Sequence, residues 1–241
     1  YKSLQIDFYA QIADGGDFIP RNYETRDDWN TSIYKIFESN IATLNIIIKN
    51  LTSYGDKYKH TIAVARIWRV YIGANAVDFF GPVPFASYKE DIENPPYVSV
   101  EDAYNEFFIE LAEAADLLNE KSISPIFIDA STDIIFKNDS EKWRKFANSL
   151  RLRYALRLSE INPEKCAAEA KKAIESGTME SRNDKACLPP KGSGGFGENY
   201  NYTLFSISWN SPICMTTTFE KLVTNIGGID FPTDLVSKRN Q

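Results

Sequence analysis

Between residues 27 and 53 the apolar side chains return every three or four positions: Ile33, Ile36, Phe37, Ile41, Leu44, Ile47, Ile48 and Leu51. That spacing predicts an amphipathic helix, and Asp27 and Asp28 at its start are of the type that caps one. Tyr54-Gly55-Asp56 reads as a turn. A second helix is expected from about Lys57 to Phe80, stopped by Gly81-Pro82-Val83-Pro84, since neither proline can continue it and a glycine suits the position after the cap. Its stretch TIAVARIWRVYIGANAVDFF is apolar nearly all round and long enough to span a bilayer. Arg66, Arg69, Asn75 and Asp78 argue against a span, because a charge at mid-bilayer costs about 2.5–3.5 kcal/mol. The expectation is a helix buried inside a protein.

Ser99 with Asp102 three residues on marks the next helix start. That helix places Ala103, Phe107, Leu111, Ala114, Ala115 and Leu118 on one face. The segment DASTDIIFKND alternates and reads as a short extended piece. Ser140 then stands as cap of EKWRKFANSLRLRYALRLSEI, with a stripe of Trp143, Ala147, Leu150, Tyr154 and Leu158. Asn162-Pro163 breaks the chain with proline at a first helical position. A fifth helix follows, with Cys166, Ala170, Ala173 and Ile174 expected inward and Gly177 at its end. Small alanines in the second arm of a helix–turn–helix of about 35 residues are what a tetratricopeptide-type hairpin requires, because its helices approach closely. The fold class expected is mainly α, with tetratricopeptide-like helical repeats over 1–180 and a long irregular loop region over 181–241, treated as one domain.

Residues 192–219, GSGGFGENYNYTLFSISWNSPICMTTTF, break the helical pattern altogether. They carry Glu198 as their one charged side chain, hold Phe196, Tyr200, Tyr202, Phe205, Trp209 and Phe219, and leave room only for short strands. Long loops in compact proteins are usually functional. Composition bears on this segment. Of 241 residues 43% are hydrophobic and 13% aromatic, enough to build a core and to exclude disorder. Net charge is −6, which speaks against a general nucleic-acid surface.

The chemistry-bearing motifs mostly fail on context. Gly192-Ser-Gly194-Gly195-Phe-Gly197 matches G-x-G-x-x-G but has no strand before it and no helix after it to meet a pyrophosphate. His60 is the single histidine and is expected at the surface or as a cap, with no nucleophile motif to serve. Cys166, Cys187 and Cys214 fit no zinc spacing and leave the compartment undecided. No carboxylate pair stands out, so a glycoside hydrolase is the weaker alternative. Asp129, Ser131 and Asp133 are spaced like an oxygen-rich cation loop but lack the glycine and distal glutamate of an EF-hand, which leaves a structural Ca²⁺ open and no other cofactor expected. Lys142, Arg144, Lys145, Arg151, Arg153 and Arg157 make one helix basic, read as a solvated or ion-paired face. Asn30, Asn50, Asn138 and Asn201 open N-x-[ST] sequons.

The loop aromatics carry the functional signal. A flat ring covers the apolar face of a pyranose, while amides and carboxylates pair with its hydroxyls. Asn199, Tyr200, Asn201, Tyr202, Trp209 and Asn210 have that chemistry and are the candidate carbohydrate-binding residues; no catalytic or metal residue is expected. The alternatives are that these rings pin the loop onto the helices, or that the helical repeats form a protein-interaction scaffold with no sugar site.

Four runs resemble one family. WNTSIYKIF, ARIWRVYIGANAVDFFGPVPFASY, YVSVEDAYNEFFIELAEAADLL and EKWRKFANSLRLRYALRLSEINP are similar, in order and spacing over roughly residues 20–225, to the SusD/RagB-like lipoproteins of Bacteroidetes. The most specific run is carried by Trp143, Lys145, Phe146, Ala147, Asn148, Ser149, Leu150 and Arg153. Two positions depart. Phe80-Gly81-Pro82-Val83-Pro84 stands where the family has Tyr-Gly-Asp-x-Pro, losing an aspartate that could hold the loop. Asn138 stands where a glycine is usual, and asparagine still tolerates a left-handed turn. The resemblance implies a helical fold of four tetratricopeptide-like repeats and a non-enzymatic surface lipoprotein of the outer membrane. It further implies capture of oligosaccharides or other nutrients, peptides included, for a SusC-like TonB-dependent transporter. Membrane attachment would be through a lipidated cysteine preceding Tyr1. Family members are about twice this long, so the chain corresponds to an N-terminal half.

Overall fold

The computed structural model describes residues 9–11, 27–85, 96–119, 132–187 and 213–215. Five α-helices run through them: α1 (Asp27–Thr52), α2 (Lys59–Phe80), α3 (Val100–Asn119), α4 (Ser140–Leu156) and α5 (Pro163–Glu175). Short 3₁₀ turns lie at Gly55–Tyr58 and Arg182–Asp184. The class is mainly α, as the periodicity requires. The chain divides into two compact units, one of residues 27–189 and one of residues 1–26 with 190–241. In the second, β1 (Tyr9–Gln11) and β2 (Ile213–Met215) pair antiparallel, Tyr9 opposite Met215 and Gln11 opposite Ile213.

In the helical unit each helix packs on its sequence neighbour, α1 on α2, α2 on α3, α3 on α4 and α4 on α5, and α2 also touches α4. This is the nearest-neighbour stacking of helical repeats. The shared core is built from Phe37 and Ile41 of α1, Ile67 and Val70 of α2, Phe107 and Leu111 of α3, and Trp143 and Leu150 of α4. α2 is central, with most of its residues buried, which explains its nearly uniform apolarity. No helix among the described residues is long and apolar enough to cross a membrane.

The two arginines of α2 are buried, and both meet α3. Arg66 Nε donates to Glu110 Oε2 at 2.9 Å, and its Nη2 pairs with Glu113. Arg69, 0% exposed, donates from Nε to Asn45 Oδ1 at 2.8 Å, and its guanidinium lies 4.0 Å from the centre of the Phe85 ring. Buried charge is tolerated because it is paired and hydrogen-bonded. The Phe85 ring also closes on Gly73: a Cβ there would lie 2.5 Å from Phe85 Cε2. Gly81 ends α2 at φ 74°, its N–H bonded to Val77 O, and the following chain is held by an isolated bridge between Val83 and Val98.

Several boundaries differ from the sequence expectation. Asp27 and Asp28 are not caps but the first helical residues, where carboxylates suit the positive end of the helix dipole. Residues 134–138 of the alternating DASTDIIFKND form turns, not an extended piece, because Asp133 gathers the backbone N–H groups that follow it. Asp139, not Ser140, caps α4, accepting from Lys142 N at 3.1 Å. α4 stops at Leu156, and residues 157–161 tighten into turns with Leu158 N bonded to Ala155 O and Ile161 N to Leu158 O. In α5 only Glu169 and Ala173 are buried, while Ile174 is 59% exposed. That helix packs through a single line on α4, so the neighbouring position turns outward. His60 is neither on the surface nor a cap residue; it is buried in the first turn of α2. The capping pair Ser99–Asp102 does form, Asp102 N donating to Ser99 Oγ at 3.0 Å. Pro163 is the first residue of α5, after an Asn162 cap.

Candidate functional site

The six residues proposed for sugar recognition, Asn199, Tyr200, Asn201, Tyr202, Trp209 and Asn210, lie outside the described residues. What is described is the platform from which that segment departs, and it centres on α4. One side of α4 holds the turn that precedes it. Asp133, buried, accepts from the Trp143 indole N–H at 2.8 Å, from Ile135 N and Phe136 N at 3.1 Å and from Asn138 N at 2.8 Å. Burial pushes this carboxyl upward, but the Trp143 indole and the three backbone donors outweigh it and hold it below its ordinary value. Both Asp133 oxygens are thus taken by N–H donors, which removes it as a cation ligand; Asp129 and Ser131 lie outside the described residues. Among the described residues no group of three or more His, Cys, Asp or Glu side chains could hold a metal. The turn reaches α4 through left-handed Lys137 (φ 52°) and Asn138 (φ 65°), so Asn138 does occupy a conformation that glycine would favour.

The other side of α4 holds the chain that leaves α5. Asn148 Nδ2 donates to Ser176 O at 3.0 Å and Gly177 O at 2.9 Å, which ties down the C-terminal carbonyls of α5. Met179 N donates to Ser149 Oγ at 2.9 Å. Lys145 pairs with Asp184 at 3.4 Å, and Asp184 in turn accepts from Glu180 N and Ser181 N to fix the last 3₁₀ turn. The basic residues of α4 are largely consumed in this way. Arg144 pairs with Glu141 and donates to Ser176 O. Arg151 meets the buried Glu169 at 2.6 Å, and Arg157 joins Asp78 and Tyr104. Burial raises Glu169, yet Arg151 and Lys172 hold its carboxyl below the ordinary range. Sequence reasoning saw the basic face but not its partners, which come from α2, α3, α5, the turn at 182–184 and, for Arg144, α4 itself.

A cleft of about 290 Å³ opens over α4 between α3 and α5, lined by Ala115, Asp116, Arg151, Lys172 and Glu175 among others. A second depression of about 490 Å³ runs along α4 at Leu152, Arg153 and Leu156. Neither has an aromatic ring in its wall, so neither offers the flat surface that pyranose stacking needs. The polar residues of the W-x-K-F-A-N-S run are therefore clamps: they lock the turn before α4 and the chain after α5, and present no ligand platform of their own.

A stack of helical hairpins braced at one signature helix, followed in sequence by a nearly uncharged aromatic segment, defines a helical-repeat scaffold. The chain belongs to the SusD-like family, described as starch-binding associating with outer membrane, whose profile matches residues 6–226. It is similar to a SusD homolog from Parabacteroides distasonis, at 50% identity and TM-score 0.80 over 88% of this chain and 42% of that one. A SusD-like protein from Bacteroides thetaiotaomicron is 27% identical with TM-score 0.72, over 92% of this chain and 44% of that one. A chitin-binding SusD homolog from Flavobacterium johnsoniae is 25% identical with TM-score 0.73, over 90% of this chain and 44% of that one. The chain therefore spans less than half the length of these solved structures. No curated protein matches it.

Proposed function

We propose that this chain is the N-terminal, helical half of a surface glycan-binding protein that is not an enzyme. In this reading it captures oligosaccharides at the outer membrane and delivers them to a SusC-like TonB-dependent transporter, anchored by an N-terminal lipid. Membership of a family described as starch-binding and outer-membrane-associated carries the reading, and likeness to chitin-binding proteins supports a carbohydrate ligand. The helices supply the frame. Ring chemistry comes from the segment at 192–219, where Tyr200, Tyr202 and Trp209 stack on sugar faces and Asn199, Asn201 and Asn210 pair with hydroxyls.

The test is calorimetry of the full-length polypeptide against a panel of starch, chitin and other oligosaccharides. Each of Trp209→Ala and Tyr202→Ala is expected to weaken binding of the bound glycan by tenfold or more. Glycan binding that survives both substitutions unchanged places the site elsewhere, and release of reducing sugar overturns the non-enzymatic assignment.

A further inference from the structure

We draw no further inference here: the strongest candidate, the cleft over α4 between α3 and α5, belongs to the clamp already described, since its Arg151 and Lys172 are held by Glu169 and its Asn148 Oδ1, which meets no donor among the described residues, is sealed from the opening.

Discussion

Asp133 shows how much one side chain can organise. Its four N–H donors make sense only for the ionised carboxylate, so Asp133→Asn is expected to cost about 2–3 kcal/mol at neutral pH, as for hydrogen bonds to a charged group. Because the folded carboxyl titrates below its ordinary value, its contribution is present above about pH 4 and fades as pH falls through the lowered value. The gap between wild type and Asp133→Asn in urea unfolding should therefore shrink from pH 7 to pH 3; a constant gap would contradict the assignment. Gly73 is the opposite case, a residue defined by what it lacks. Alanine gains helix propensity, but its Cβ collides with a Phe85 ring wedged against Arg69 and Phe107. Gly73→Ala should destabilise by about 1–3 kcal/mol, measurable as a drop in Tm. Trp143 was legible as a member of an apolar stripe. Its bond to Asp133 was not, because two left-handed residues set that geometry and no periodicity encodes them.

At the scale of the element, the helix starts and stops that follow from local chemistry were readable. Ser99, Asn162-Pro163 and Gly81 all act where their side chains or φ preferences put them. What failed was set by neighbours. Spacing places Ile174 inward with Ala173, yet only Ala173 of the two is buried, and the other buried position of α5 is Glu169, held by Arg151 across the hairpin. Asn148 is the corresponding case on α4: a polar residue beside the apolar stripe, buried because two carbonyls at the end of α5 require its donors. Asn148→Ala should cost about 1–3 kcal/mol by leaving those carbonyls short of donors, whereas the exposed Arg153→Ala should stay within about 0.5 kcal/mol. Comparable losses from both would show that the clamp contributes little.

For the whole molecule, acid sensitivity follows from the same carboxylates. Asp133 and Glu169 are both held low in the folded state, so the unfolded chain binds more protons as pH drops and stability declines below about pH 4. A urea midpoint that stays flat from pH 5 to pH 3 would refute this. The helical scaffold was largely legible because burial imprints a period of 3.6 on each helix. The sugar-binding candidates were readable only as a composition. Tyr202 and Trp209 follow no period, and the positions at which such rings converge depend on loops that local propensity does not fix.

The nearest-neighbour packing of α1 to α5 also dictates how the scaffold comes apart. Each helix leans chiefly on the ones beside it in sequence, so opening can begin at an end and need not be global. Amide exchange should grade accordingly: slowest in α2, which is packed on several sides, and fastest in α5, which rests chiefly on α4. The chain that leaves α5 toward the aromatic segment, held by Ser149 and Lys145, would then keep its anchor on α4 while α5 opens.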